Sequence, residues 1–238
     1  MEHYKLGVVV PVLNNFRGCV ELFESIKTHA QWVPYIQPQW RQQIPLAAAW
    51  NRGIERAYAQ DCDYVLVSND DVLLPPYSLE RLVEEYRRLE NQKIIMVTIC
   101  NAMGIFGDPL NALTYEVPQE QLDNPSISDH PDFSCFLIDR TFFDKVGTFD
   151  ENFIPAWCED NDMHYRIHLL GYRAVSTTKV PAAHIGRVST GMAGNPTMQY
   201  SQGYFSKKWG SFHRNMDEAY KVPYNDNSLT PKIWIKGR

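Results

Sequence analysis

The 238-residue sequence lacks any apolar run of the ~18 residues that a membrane helix requires. Its opening, Met1-Glu2-His3-Tyr4-Lys5, has too short an apolar stretch for a signal peptide. Membrane-spanning and secreted classes are set aside, and a cytoplasmic protein is expected. Cysteine is sparse: Cys19, Cys62, Cys100, Cys135 and Cys158 are odd in number and scattered, without the paired spacing that brackets a zinc ion or a redox couple. There is no glycine-rich phosphate loop with its lysine and no dinucleotide fingerprint, because the first apolar run ends in Pro11-Val12-Leu13-Asn14-Asn15. A Gly-x-Ser-x-Gly elbow is also missing. Kinases, ATPases, nicotinamide enzymes and the usual acyl hydrolases are thereby disfavoured.

What is present fits an ordinary globule, 44% hydrophobic and 21% charged. At roughly 100–200 residues per domain, the chain makes one large domain or a domain with an appendage. The net charge of −5 hides an asymmetry. Residues 1–183 carry 15 basic and 25 acidic side chains, whereas residues 184–238 carry 8 and 3. That basic tail is rich in aromatics, including Tyr200, Tyr204, Phe205, Trp209 and Phe212.

Periodicity predicts strands alternating with helices. Leu6–Val12 is a continuous apolar run, as in a strand buried on both faces, and Tyr64–Val67, Ile94–Cys100 and Phe133–Ile138 read as further core strands. Helices are predicted from Phe16 to about Thr28, over Leu46–Ala59 and Ser78–Leu89, and from Glu159 to about Leu170. The proline-rich stretch 31–45 reads as loop with at most a short strand, Val33–Ile36. A short strand is expected near Leu113–Val117, and two more at Ala174–Lys179 and Pro181–Ile185. The segment from Gly186 to Gln202 reads as a long loop, a candidate lid. This order implies a single, mainly parallel α/β sheet covered by helices on both sides. Ligands in such sheets bind at the carboxyl ends of the strands.

Several groups fall there. Asp70 and Asp71 close a strand, and two adjacent carboxylates suit either a hard divalent cation or a turn that caps a helix. Glu159, Asp160 and Asp162 cluster at a helix start, where the helix dipole favours negative charge. Trp157 and Cys158 precede them, so a carboxylate there could also have the tuned basicity of a general base. His184 ends an apolar strand and is either a structural histidine or a metal ligand. His164 and His168, four apart without the zinc-protease glutamate, read as helix surface.

Taken in order, these features resemble the family 2 glycosyltransferases of the GT-A fold. Val8-Val9-Val10-Pro11-Val12-Leu13-Asn14-Asn15 is similar to that family's first strand and nucleotide-binding turn. Trp50-Asn51-Arg52-Gly53-Ile54 is similar to its Arg-Asn-x-Gly helix start. Ser68-Asn69-Asp70-Asp71-Val72 resembles its Asp-x-Asp (DXD) element, with asparagine in the first acidic place. Phe149-Asp150-Glu151-Asn152-Phe153, followed by Glu159-Asp160-Asn161-Asp162, resembles the stretch that carries the Glu-Asp catalytic pair. His184 with Gly186 and Ser189 resembles the histidine before the closing loop. One departure is that Tyr35-Ile36-Gln37-Pro38 stands where such enzymes commonly place a base-pairing aspartate.

The resemblance implies a Rossmann-like GT-A catalytic domain over residues 1–186, followed by a lid loop and a basic aromatic extension over 187–238. It implies an inverting sugar transfer, hexosyl or pentosyl, from a nucleoside-diphosphate sugar, with a UDP-sugar the expected donor. Asp71 and His184 would hold Mn2+ or Mg2+, and Asp160 would be the base with Glu159 beside it. Pro11, Val12, Asn14, Asn51, Asn69 and Asp70 would contact the donor. Asp162, Arg187, Ser189, Thr190, Lys207 and Trp209 would serve the acceptor and lid. Two acceptors fit: a glycan, or a hydroxymethylated base in viral DNA followed by the basic aromatic tail. A sugar-phosphate nucleotidyltransferase and a non-catalytic nucleotide-sugar binding module are the other readings.

Overall fold

The computed structural model describes residues 4–39, 44–186 and 196–209. An eight-stranded sheet forms its centre, in the order β2-β1-β3-β7-β5-β8-β4, with β6 paired to β8. The strands are β1 (Lys5–Val12), β2 (Gln31–Pro38), β3 (Tyr64–Ser68), β4 (Val72–Leu73), β5 (Ile94–Asn101), β6 (Ile127–Ser128), β7 (Cys135–Asp139) and β8 (Arg173–His184). The helices are α1 (Phe16–Ser25), α2 (Leu46–Ala59), α3 (Ser78–Leu89), α4 (Met103–Phe106), α5 (Gln119–Asp123), α6 (Phe142–Val146), α7 (Glu159–Leu169) and α8 (Pro196–Trp209).

The valine run of β1 explains the layering. Successive strand residues point to opposite faces, so Leu6, Val8, Val10 and Val12 enter one core with α1 and α3, while Val9 enters the other with α2, α6 and α7. A strand buried on both faces has no polar side to alternate with, hence the unbroken run. Two glycines permit the closest approaches. A Cβ on Gly53 would lie 2.2 Å from Val9 Cγ1, so α2 rests directly on β1. A Cβ on Gly18 would lie 2.1 Å from the carbonyl oxygen of Asp70, so α1 presses on the backbone that carries the paired aspartates.

β1, β2, β3, β5 and β8 run one way, and β7 lies antiparallel between β3 and β5. The sheet is therefore mixed but mainly parallel in direction. Several sequence expectations change. β2 is a full eight-residue edge strand and not a short one. Pro34 and Pro38, four apart, share one side of a strand that has a single neighbour, so their missing N–H groups cost no ladder bond. α1 ends at Ser25, and the strand expected near Leu113 is a 3-10 turn, Pro109–Thr114. The two strands predicted at 174–185 are one, β8, with register shifts against β5. Residues 196–202, expected as loop, belong to α8. No helix among the described residues is long and apolar enough to cross a membrane.

Candidate active site

A cavity of about 760 Å3 opens at the carboxyl ends of the parallel strands. Its wall combines Pro11 and Leu13 at the end of β1, Asn69–Asp71 after β3, Asp132–Ser134 before β7, the start of α7, His184, and Met198 and Gln202 from α8. Residues far apart in the chain meet there because the strands end together.

Backbone pairing places Asp71 beside His184. β4 runs antiparallel to β8 with Val72 opposite His184, and the Ile185 N–H donates to the Asp71 carbonyl at 3.0 Å. The His184 Nε2 lies 3.5 Å from Asp71 Oδ1, and its Nδ1 lies 3.9 Å from Asp132 Oδ2. Burial works against protonating this imidazole, but the hydrogen bond and charge of Asp71, with the charge of Asp132, outweigh it and hold its pKa above that of an ordinary histidine. The site thus favours positive charge at this point. No group of three or more His, Cys, Asp or Glu that could hold a metal occurs among the described residues. Asp71 and His184 are ligand types that a divalent cation can share with substrate oxygens, the usual arrangement for magnesium-type ions on phosphates. Asp70 is buried next to it, its carbonyl accepting from Asn15 Nδ2 at 2.8 Å. Asn15 also caps α1 through Gly18 N.

Glu159 and Asp160 line the same cavity from the first turn of α7. Trp157 and Cys158 precede them with positive φ of 83° and 68°, a rare conformation for non-glycine residues and one that concentrates at functional sites. Burial, then the neighbouring Asp160, raise the Glu159 carboxyl well above the usual range. Burial also raises Asp160, against the backbone N–H groups of Asn161 and of Asp160 itself, which pull it down.

Other predicted residues lie elsewhere. Val12 points into the core beneath the cavity, and Asn14 is exposed outside its wall. Asn51 is buried and clamps the chain at Phe149, donating to its carbonyl at 2.8 Å and accepting from its N–H at 2.9 Å, so it holds a loop and not a donor. Asp162 turns inward, where it accepts from Arg166 Nε at 2.9 Å and from the Trp209 indole at 3.0 Å. Trp209 is therefore a core residue that no acceptor can stack on, and Lys207 is exposed away from the cavity. Arg187, Ser189 and Thr190 lie outside the described residues, as do residues 210–238 of the tail. His164 is buried, not surface, and burial drops its pKa to about 3.

The sequence reading missed Asp132, Trp50, Ser134, Met198 and Gln202 on the wall, and Lys208 in the core. Lys208 Nζ lies 2.7 Å from Asp150 Oδ2 and 2.5 Å from Asp162 Oδ1, and Tyr204 donates to Asp150 at 3.0 Å. Ser201 Oγ donates to the Ala156 carbonyl at 2.8 Å. α8 thereby ties together the loop before α7 and α7 itself.

Comparison with known proteins gives a consistent result. A family model described as glycosyl transferase family 2 matches residues 8–147. A galactofuranosyl glycosyltransferase of Leishmania donovani is 26% identical over 189 residues, 65% of this chain and 44% of that protein. The chain therefore spans less than half the length of that relative. Among solved structures, GalNAc-T7 with UDP, GalNAc and Mn2+ superposes with a TM-score of 0.58 at 15% identity, covering 94% of this chain and 52% of its own. The catalytic domain of Drosophila beta1,4galactosyltransferase 7 with xylobiose gives 0.50 at 14%, covering 76% and 71%. A mutant of that enzyme with manganese, UDP-Gal and xylobiose gives 0.52 at 15%, covering 83% and 79%. At such identities the superpositions speak to the fold.

Proposed function

The chain belongs to glycosyl transferase family 2, and we propose that it moves a sugar from a nucleoside-diphosphate sugar to a glycan hydroxyl with inversion, Asp160 acting as base. It is an enzyme of the GT-A fold, which sets aside the nucleotidyltransferase and binding-module readings. The observation that carries the proposal is that the Asp71–His184 pair and the Glu159–Asp160 pair line one cavity.

Asp71 and His184 would hold a Mn2+ or Mg2+ ion, which when bound supplies positive charge to the departing diphosphate. Asp70, Asn69 and Pro11 line the donor side. Asp160 takes the proton from the acceptor hydroxyl as it attacks the anomeric carbon, and the raised basicity that burial gives it suits that role. UDP is the expected nucleotide, in keeping with the UDP present in the GalNAc-T7 structure. A glycan acceptor agrees with the xylobiose bound by the Drosophila enzyme. It is also favoured over a DNA base because Trp209 and Lys208, two of the described residues of the basic aromatic region, are buried. The five free cysteines suit a reducing, cytoplasmic compartment.

The test is sugar transfer by Asp160→Asn against a panel of nucleotide sugars with manganese. A fall of roughly 10²–10⁴-fold in turnover is expected for loss of a positioned base. Near-normal turnover would remove Asp160 from that role.

A further inference from the structure

Four charged side chains are buried together where α7 meets α8: Asp150, Asp162, Arg166 and Lys208, none more than 2% exposed. Lys208 Nζ lies 2.7 Å from Asp150 Oδ2 and 2.5 Å from Asp162 Oδ1, and Arg166 Nε donates to Asp162 Oδ2 at 2.9 Å. Two cations thus balance two carboxylates. Well-packed apolar side chains of similar volume generally serve stability as well as a buried ionic cluster does, so the cluster is better explained by the geometry it enforces.

That geometry concerns one segment. Asp150 and Asp162 bound the stretch that carries Trp157, Cys158, Glu159 and Asp160, and a single ammonium group ties both ends to α8. Tyr204 donates to Asp150 Oδ2 at 3.0 Å, and the Trp209 indole donates to Asp162 Oδ1 at 3.0 Å. Between these ends, Ser201 Oγ donates to the Ala156 carbonyl at 2.8 Å. The start of α2 adds a bond of its own, from the Leu46 N–H to the Pro155 carbonyl at 2.8 Å.

The backbone requires such support. Trp157 and Cys158 hold φ of 83° and 68°, a conformation that persists only where the surroundings over-determine it. The bonds from α8 at Ala156 and at Asp162 bracket this pair and the two carboxylates that follow it. Asp160 lies within one helical turn of Asp162, so a shift of that turn carries its carboxylate along.

We propose that Lys208 is a positioning residue for Asp160, assisted by Tyr204 and Ser201: α8 clamps the strained segment at both ends and so fixes where the base stands in the cavity. Lys208 is buried away from the cavity wall and acts only through the segment it holds. The inference rests on the sugar-transfer reading given above, with Asp160 as its base.

The test is a double-mutant cycle. With manganese present, UDP-, GDP- and dTDP-hexoses serve as donors and a panel of mono- and disaccharides, xylobiose among them, as acceptors. The proteins are wild type, Lys208→Met, Tyr204→Phe, Asp160→Asn, and each of the first two variants combined with Asp160→Asn, their rates normalised to the folded fraction read by near-UV circular dichroism. Lys208→Met should lower kcat roughly a hundredfold and Tyr204→Phe roughly tenfold, each with the donor KM unchanged. Neither should lower the residual rate of Asp160→Asn further, because a group that acts through the base has nothing left to position. Equal losses in both backgrounds overturn the inference, since the cluster then serves the fold alone. Wild-type kcat in the single variants, or an effect confined to KM, also overturns it. Near-normal turnover by Asp160→Asn removes the base, and this inference with it, but leaves sugar transfer standing. A wild-type protein that transfers sugar from none of the donors overturns the sugar-transfer reading itself. Should Lys208→Met fail to fold, Tyr204→Phe, which removes one hydroxyl at a half-buried position, decides the outcome. Should the Asp160→Asn rate fall below detection, the split between kcat and KM decides it: kcat lowered at constant KM supports the inference, and an unchanged kcat or a raised KM overturns it.

Discussion

Replacing Lys208 with methionine removes the cation between two buried carboxylates while keeping the length of the side chain. Lys208 is 1% exposed, with Asp150 at 2.7 Å and Asp162 at 2.5 Å. At an effective dielectric of about 20, each contact is worth roughly 6 kcal/mol in Coulomb energy, before the several kcal/mol per ion spent on desolvation. The net cost of leaving a buried pair without one partner is roughly 3–5 kcal/mol. That is a large part of an ordinary domain's stability of roughly 5–15 kcal/mol. Urea unfolding followed by tryptophan fluorescence should show the midpoint falling accordingly. The pH dependence gives a second handle. Burial pushes the Asp150 carboxyl up, but the charge and hydrogen bond of Lys208, helped by Asn152, outweigh it and hold the pKa below the ordinary value. A depressed carboxylate stabilises the fold above its unfolded pKa and loses that contribution as pH falls through its folded pKa. The gap between wild type and variant should therefore be full at neutral pH and narrow below about pH 4. A loss under about 1 kcal/mol, or a gap that does not change with pH, would refute the reasoning.

Two further predictions concern the site. Because burial holds Glu159 and Asp160 above the ordinary carboxylate range and the base must be ionised, kcat/KM should rise with pH through the titration of the pair and level off above it. An acid limb centred near pH 4, where an unperturbed aspartate titrates, would contradict this. Gly18→Ala would set a methyl group 2.1 Å from the Asp70 carbonyl oxygen, so α1 or the Asp70–Asp71 backbone must move. Overpacking of this kind costs roughly 1–3 kcal/mol, and a variant with the melting temperature of the wild type would show that the contact is not tight.

Much of this was legible in the chain. β1, β3 and β5 announce themselves because both faces are buried, and Asp71 and His184 each stand at the end of an apolar run. Strand direction was not legible. Phe133–Ile138 reads the same whichever way it points, and the antiparallel β7 emerges only from its pairing with β3 and β5. Asn51 is expected as a ligand through the resemblance of its stretch to an Arg-Asn-x-Gly helix start, yet its amide satisfies both backbone groups of a residue 98 positions away. Asp132 and Ser134 lie just before β7, where no periodicity marks them. α8 was hidden by its Gly, Ser and Thr residues, which depress helix propensity although tertiary packing overrides it. Lys208 gave no local signal, since lysine is almost never buried unless paired, and its partners sit 46 and 58 residues earlier.

α8 divides its work along its axis. Met198 and Gln202 in its first two turns face the cavity, and Phe205, Lys208 and Trp209 in its last turn hold it to α7. At about 1.5 Å per residue, Gln202 and Lys208 stand roughly 9 Å apart, a separation at which the effects of substitutions generally add. Changes at Met198 and Gln202 can thus reshape what the pocket admits without loosening the anchor. A lineage, or an engineer, could vary the pocket from one end of this helix while the other end keeps the chain folded.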